Sequence, residues 1–318
     1  MPYDLSKLLV IGVSSRALFD LEAEERLYQR LGLESYRRYQ IEMETELLEK
    51  GTAFPLVKGL LALNTPGSTR RVEVVIVSKN HPETGLRMFN SIRHYGLDVT
   101  RAVLTGGEAL NPYLRGLNVD LFLSCSSNDV QAAIDEGIAA AVLYKPPVEP
   151  IPDAVQLRIA FDADAVLFSE ASEALYREHG LEAFLEHERK HADSPLAEGP
   201  LAKLLKKLSV LQEGLDPEKS PLRLAIVTAR NSPAHERVIK TLRAWNVRVD
   251  AAFFLGGVSK DRVLEAFGAH IFFDDQEAHL ATASFTTPSA LVPYRSDSIL
   301  RVEAPIAEVA GSEAPALS

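Results

Sequence analysis

Two aspartates, Asp162 and Asp164, close a strand-like run, "RIAFDADAVLF" from Arg158 to Phe168, with one small residue between them and apolar chain resuming at once. A carboxylate carried into an apolar interior costs several kcal/mol unless it is paired or bound to a cation. Three further stations follow β-rich runs: Thr228 closes "LAIVT", Lys260 follows "FFLGGVS", and Asp274 and Asp275 close "HIFFDD". Carboxylates, a hydroxyl and one cationic side chain are thereby supplied together. Oxygen ligands at this density suit Mg²⁺, which keeps several waters and binds through one or two carboxylates plus phosphate. The expectation is a metal between the aspartates.

The elements that must position these residues are written twice in the chain. "LFDLEAEERLYQRLGLESYRRY" from Leu18 is matched by "LFSEASEALYREHGLEAFLEH" from Leu167, "VVIVSKN" by "LAIVTARN", "AVLTGG" by "FFLGG", and "LFLSCSSND" by "IFFDDQEAH". The intervals agree too: Ser78 to Gly106 and Thr228 to Gly256 are both 28 positions, and Gly106 to Ser124 and Gly256 to Asp274 are both 18. The spacing predicts an internal duplication, with modules at 1–147 and 148–298 meeting near the Pro-rich "YKPPVEPIPD" (Tyr144 to Asp153). Strands alternating with helices in each copy predict an α/β fold of parallel sheets covered on both faces. Ligands bind such sheets beyond the carboxyl ends of the strands, where the four stations lie.

Composition narrows the partners. A chain of 318 residues with 46% hydrophobic content, net charge −10 and sequence pI near 5.4 lacks the basic field of a nucleic-acid binder or of a protein held to anionic membranes. Cys125 is the only cysteine, so neither an intrachain disulfide nor a multi-cysteine metal site can form. With no apolar run long enough for a membrane span, the expected setting is cytoplasmic and the expected partner small. Residues 299–318, rich in Ala, Pro, Ser and Glu, read as a mobile tail.

"FDADAVLF", "VTAR", the lysine of "GGVSK" and "FFDDQ" resemble, in order, the four motifs of the haloacid dehalogenase (HAD) superfamily of phosphatases. More narrowly, "VSSRALF", "AFPLVK", "NSIRHYGL", "AIDEGIAAA", "AFDADAVLFS", "KTLRAWNV" and "HIFFDDQ" resemble the cytosolic 5′-nucleotidase I family, the AMP-preferring type, from about Leu9 to Tyr294. The resemblance implies HAD-like Rossmannoid modules and Mg²⁺-dependent hydrolysis of a nucleoside 5′-monophosphate, AMP as first guess. By the same resemblance Asp162 is the nucleophile that takes the phosphoryl group and Asp164 the general acid/base. Thr228, with Ala229 and Arg230, contacts the phosphate; Lys260 offsets its charge. Asp162, the main-chain carbonyl of Asp164, and Asp274 would hold Mg²⁺, with Asp275 a direct or water-mediated ligand. A HAD phosphatase for a sugar phosphate and a nucleotide-sensing binding protein are the competing readings; an acid/base such as Asp164 has no use in a sensor. A nucleotide effector and a homo-oligomer stay open.

Carried back through the repeat, the stations become Val13 for Asp162, Ser15 for Asp164, Ser78 for Thr228, Leu110 for Lys260, and Ser124 and Cys125 for the aspartate pair. Only the hydroxyl survives, so the first module is expected to be catalytically degenerate. Its polar strand ends, Asn80, His81 and Thr105, are candidates for reading the nucleoside by closing over the second module, or for holding an effector; the bland reading makes them caps and turns. His187 and His191, four apart, read as helical surface rather than a metal pair, and Trp245 as core.

Overall fold

The computed structural model describes residues 4–65, 67–147, 156–213 and 220–301. The linker between the expected modules falls largely on 148–155 and the expected tail largely on 302–318, both outside the described residues. Short runs rich in Val, Ile, Leu and Phe form the strands. The first half holds β1 (Leu9–Val13), β2 (Phe19–Asp20), β3 (Glu49–Lys50), β4 (Val72–Ser78), β5 (Arg101–Leu104), β6 (Leu121–Ser124) and β7 (Ala140–Leu143). The second holds β8 (Leu157–Phe161), β9 (Leu222–Thr228), β10 (Ala251–Phe254), β11 (Ile271–Asp274) and β12 (Ser289–Leu291). Apart from β2 and β3, which pair with each other, all of them join one ten-stranded sheet in the order β10-β9-β8-β11-β12-β7-β6-β1-β4-β5.

Every pairing in that sheet is parallel except the seam, where β7 meets β12 antiparallel through Leu143 opposite Ala290 and Val142 opposite Leu291. Counted outward from the seam, the two halves have the same strand order. Where separate sheets were expected, one continuous sheet is found, because the last strand of each half pairs with its counterpart. The carboxyl ends of the two sets of strands therefore open at opposite edges.

Register corrects the sequence alignment by one residue. Val13 pairs with Ile76 and Leu123, and Phe161 pairs with Ile226 and Phe273, so Val13 corresponds to Phe161. Ser14, not Val13, stands in the place of Asp162, and Arg16, not Ser15, in the place of Asp164. From Ser14 to Ser78 is 64 positions and from Asp162 to Thr228 is 66, a difference absorbed in the intervening helices that equal-interval matching hid.

Alternation along the strands divides the core. Leu9, Ile11 and Val13 of β1 share one apolar cluster with Leu157, Ile159 and Phe161 of β8, so this face is common to both halves. On the other face Val10, Val75 and Phe122 form a cluster of the first half, and Ala160, Val227 and Phe272 one of the second. Helices cross over on the shared face: Lys207 of helix Ala202–Gln212 donates to Asp120 and to the carbonyl of Leu8 in the first half.

Each half also carries a long helical arm, Glu22–Glu42 and Ala171–Lys190, broken at Gly32 (φ 77°) and Gly180 (φ 78°) respectively. With ψ near 180° both glycines occupy backbone space that other residues essentially do not enter. Among the described residues no helix is long and apolar enough to cross a membrane.

Candidate active site

Three neighbouring strands and the loop after a fourth deliver the charged groups. β8 ends into Asp162, whose backbone N–H donates to the carbonyl of Phe273 on β11 (2.7 Å), placing the Asp162 and Asp274 side chains next to each other. Lys260, at the start of helix Asp261–Phe267 beyond β10, reaches between them: its Nζ lies 2.8 Å from Asp162 Oδ1 and 2.7 Å from Asp274 Oδ2. Asp274 is further fixed by the N–H of Gln276 (2.8 Å) and by His279 Nδ1 (3.1 Å). Asp275 accepts from the Tyr294 hydroxyl through one oxygen, while its Oδ1 is buried without a partner. Thr228 ends β9, its hydroxyl accepting from the N–H of Arg230 at 3.2 Å.

Oxygens of Asp162, Asp274 and Asp275 lie within 4.8 Å of one another, all three residues buried. Burial pushes the Asp162 carboxyl up to about 7, with Asp274 and Asp164 adding to the rise and Lys260 opposing it. Burial likewise pushes Asp275 up to about 8, helped by Asp162 and Asp274. Burial also works against Asp274, but His279 and Lys260 prevail and hold it below the usual carboxylate value. Lys260 is desolvated yet raised above its ordinary value by the two aspartates. Three buried carboxylates facing a single lysine cannot all ionise without a further cation, and the orphaned Asp275 Oδ1 is an oxygen left open to one. Hard oxygen donors with net negative charge fit a divalent cation of the Mg²⁺ class.

Asp164 is held differently. Both its oxygens are taken by the fork of Arg230, from Nε at 2.7 Å and Nη2 at 2.6 Å, and the remaining Nη1 of Arg230 donates to Glu188. The loop between β8 and the following helix puts Ala165 at φ 58°, a left-handed conformation that costs a non-glycine residue roughly 1 kcal/mol or more.

The model of the 5′-nucleotidase family matches residues 1–298. The chain belongs to the 5′-nucleotidase family. It is 38% identical over 286 residues to human cytosolic 5′-nucleotidase 1B, covering 86% of this chain and 47% of that protein, so the chain spans about half the length of that relative. No solved structure matches it.

Within this family member, the structure brings together Asp162, Lys260, Asp274 and Asp275, with Thr228 and Asp164 at the adjoining strand ends, and leaves Ala229 exposed beside them. Arg230 departs from expectation: its side chain is 2% exposed and committed to Asp164 and Glu188, so it is a partner of the acid/base candidate rather than a free phosphate contact. Asn80, His81 and Thr105 are not at this site. They follow β4 and β5, six interstrand steps from β8 to β4, about 29 Å at ~4.8 Å per step, and at the other edge of the sheet. There His81 Nδ1 caps the turn at Glu83, Thr105 donates to the carbonyl of Glu108, and the Asn80 carbonyl accepts from Gly106. The expectation that they close over the second half is overturned by the antiparallel seam.

His187 and His191 stack on their helix with ring centres 4.2 Å apart and join no metal-ligand group among the described residues. Trp245 packs on the core beside Phe168. Sequence reasoning missed Glu188, Arg237, His279 and Tyr294. His279 alone left a signal, a histidine one helical turn beyond the acidic pair; the others sit among charged residues that read as solvated surface.

Proposed function

We propose that the chain is a cytoplasmic, Mg²⁺-dependent 5′-nucleotidase that hydrolyses nucleoside 5′-monophosphates, AMP first, to nucleoside and phosphate. One observation carries the chemistry: Asp162, Lys260 and the Asp274–Asp275 pair, far apart in sequence, converge in one buried cluster at the strand ends. An Asp162 oxygen forms a bond to phosphorus as the bond from phosphorus to the 5′-oxygen breaks, and Asp164 gives that oxygen its proton. Asp164 then takes a proton from water as the water oxygen attacks phosphorus, releasing phosphate and regenerating Asp162. Lys260 and the Thr228 hydroxyl offset and orient the phosphoryl oxygens, the charge stabilisation that dominates phosphoryl transfer. Mg²⁺ held by Asp162, Asp274 and Asp275 would supply further charge neutralisation. AMP as the first substrate rests on the resemblance of the flanking segments.

Phosphate release from a panel of nucleoside monophosphates, sugar phosphates and an aryl phosphate, with Mg²⁺ and with EDTA, tests the proposal. A Mg²⁺-dependent preference for nucleotides is expected, and Asp162→Asn should lower it on the order of a thousandfold or more while nucleotide binding persists. A sugar-phosphate preference would discard the substrate; undiminished release by Asp162→Asn would discard the mechanism.

A further inference from the structure

Glu188 is the most completely enclosed charged group near the site that the mechanism leaves unused. It lies in the last turn of the arm helix Ala171–Lys190, its side chain 0% exposed. Its Oε2 accepts from Arg230 Nη1 and its Oε1 from Arg237 Nη1 at 2.8 Å. Arg230 then spends its other two nitrogens on the two oxygens of Asp164, with the ring of Phe184 5.4 Å from its guanidinium carbon. The result is a continuous row of alternating charge, Arg237–Glu188–Arg230–Asp164.

Anchoring the arm to β9 is the plainest reason for such a row, but the chain itself argues against that as the whole reason. Counted from the kink glycines, Glu188 is eight residues beyond Gly180 and Gln40 is eight beyond Gly32. Gln40 is buried in its own arm, so the arm forms where the acid is an amide. By sheet register the counterparts of Arg230 and Asp164 are Asn80 and Arg16. The half that lacks nucleophile, lysine and metal carboxylates has thus lost every member of the inner row while keeping the architecture.

We propose that Glu188 is a positioning residue: by holding Arg230 it fixes the Asp164 carboxyl where the leaving oxygen and the attacking water will stand. Asp164 needs this support. Its side chain is 19% exposed on the strained loop at Ala165, and both oxygens would otherwise rotate freely. A planar fork engaging two oxygens removes that freedom, and catalytic groups displaced by about 1 Å lose on the order of a hundredfold in rate. The inference rests on the nucleotidase reading above.

The test compares kcat/KM on a nucleoside 5′-monophosphate, whose alkoxide leaving group needs a proton, with kcat/KM on p-nitrophenyl phosphate, whose phenolate does not. Wild type, Asp164→Asn, Glu188→Gln, the charge-retaining Glu188→Asp and the double variant Asp164→Asn/Glu188→Gln are measured. Asp164→Asn should lose on the order of a hundredfold on the nucleotide and far less on the aryl ester. Both Glu188 variants should show the same selective loss, about tenfold or more on the nucleotide. In the Asp164→Asn background Glu188→Gln should add little, since the two act in series. Equal losses on both substrates, or additive losses in the double variant, would make Glu188 structural and overturn the inference; should Glu188→Gln not fold, the selectivity of the loss in Glu188→Asp decides between the same two outcomes. Wild type without nucleotide turnover would instead overturn the nucleotidase reading, and unselective loss in Asp164→Asn would remove Asp164 as the acid and this inference with it.

Discussion

Replacing Asp275 by Asn should stabilise the metal-free protein, by an amount that grows with pH. Burial beside Asp162 and Asp274 lifts the Asp275 carboxyl from 3.8 to about 8. An acid raised in the folded state keeps its proton there after the unfolded chain has released it, so stability falls as pH climbs between the two values. Below 3.8 the group carries no penalty, and above about 8 the penalty is complete. One pH unit corresponds to about 1.4 kcal/mol, so the gain from Asn is on the order of 1–2 kcal/mol at pH 5 and on the order of several kcal/mol at pH 8. At about 2 °C per kcal/mol for a chain of this size, the melting temperature should rise by roughly 10 °C at pH 8. Asn suits the site: its carbonyl can receive the Tyr294 hydroxyl, and its amide faces the oxygens of Asp162 and Asp274. Thermal and urea unfolding in EDTA at pH 5 and pH 8 measure the difference. Saturating Mg²⁺ should narrow the difference at pH 8, since a carboxylate at 275 holds the cation more tightly than an amide does; at a hundred times its Kd, a cation adds about 2.7 kcal/mol. A gain that does not grow with pH, or a metal-free wild type more stable than the variant at pH 8, would refute the burial argument.

Two further substitutions probe the frame around the site. Gly199→Ala would place its Cβ 2.3 Å from the carbonyl oxygen of Phe168, which is backbone and cannot swing aside, while the Gly199 N–H is tied to Leu167 at 2.8 Å. A loss of about 3 kcal/mol in urea unfolding is expected, and an unchanged midpoint would show that the segment after the catalytic loop is looser than described. His81→Ala should leave KM and kcat for a nucleotide within about twofold, because His81 caps a turn at the opposite edge of the sheet, a contact worth ~1 kcal/mol of stability at most. A tenfold rise in KM would mean that the first half reaches the substrate after all.

The sequence carried the stations of the site but not their mutual setting. Asp162, Thr228, Lys260 and Asp274 were legible because apolar runs that stop at acids and hydroxyls are strand ends with a purpose, and parallel sheets gather strand ends at one edge. The direction in which β7 meets β12 was not legible. Nothing local in "AAVL" or "SAL" prefers an antiparallel neighbour, and that one tertiary choice sends Asn80, His81 and Thr105 to the wrong edge. Glu188 was hidden for another reason: in "LEHERKH" it is one charge among many, and only the fold of the arm over the end of β9 encloses it between two arginines.

The same seam explains what the first half contributes. Because the two sets of strands run in opposite directions, the amino edge of the first half abuts the catalytic edge of the second. Helix Ser127–Asp135 ends there, and it holds the segment that follows β12: Gln131 donates to the Tyr294 carbonyl at 3.0 Å, and Asp135 accepts from the N–H of Ser296 at 2.7 Å. Tyr294 is the residue whose hydroxyl meets Asp275. Removing the first half would therefore free the segment that orients one of the three clustered carboxylates, and would strip the shared face of the sheet on which Ile159, Phe161 and Phe273 pack. On the proposed function, the first half, with Ser14, Leu110 and Ser124 in the places of Asp162, Lys260 and Asp274, thus supports the site through packing and through one tyrosine, while its own polar strand ends lie at the opposite edge of the sheet.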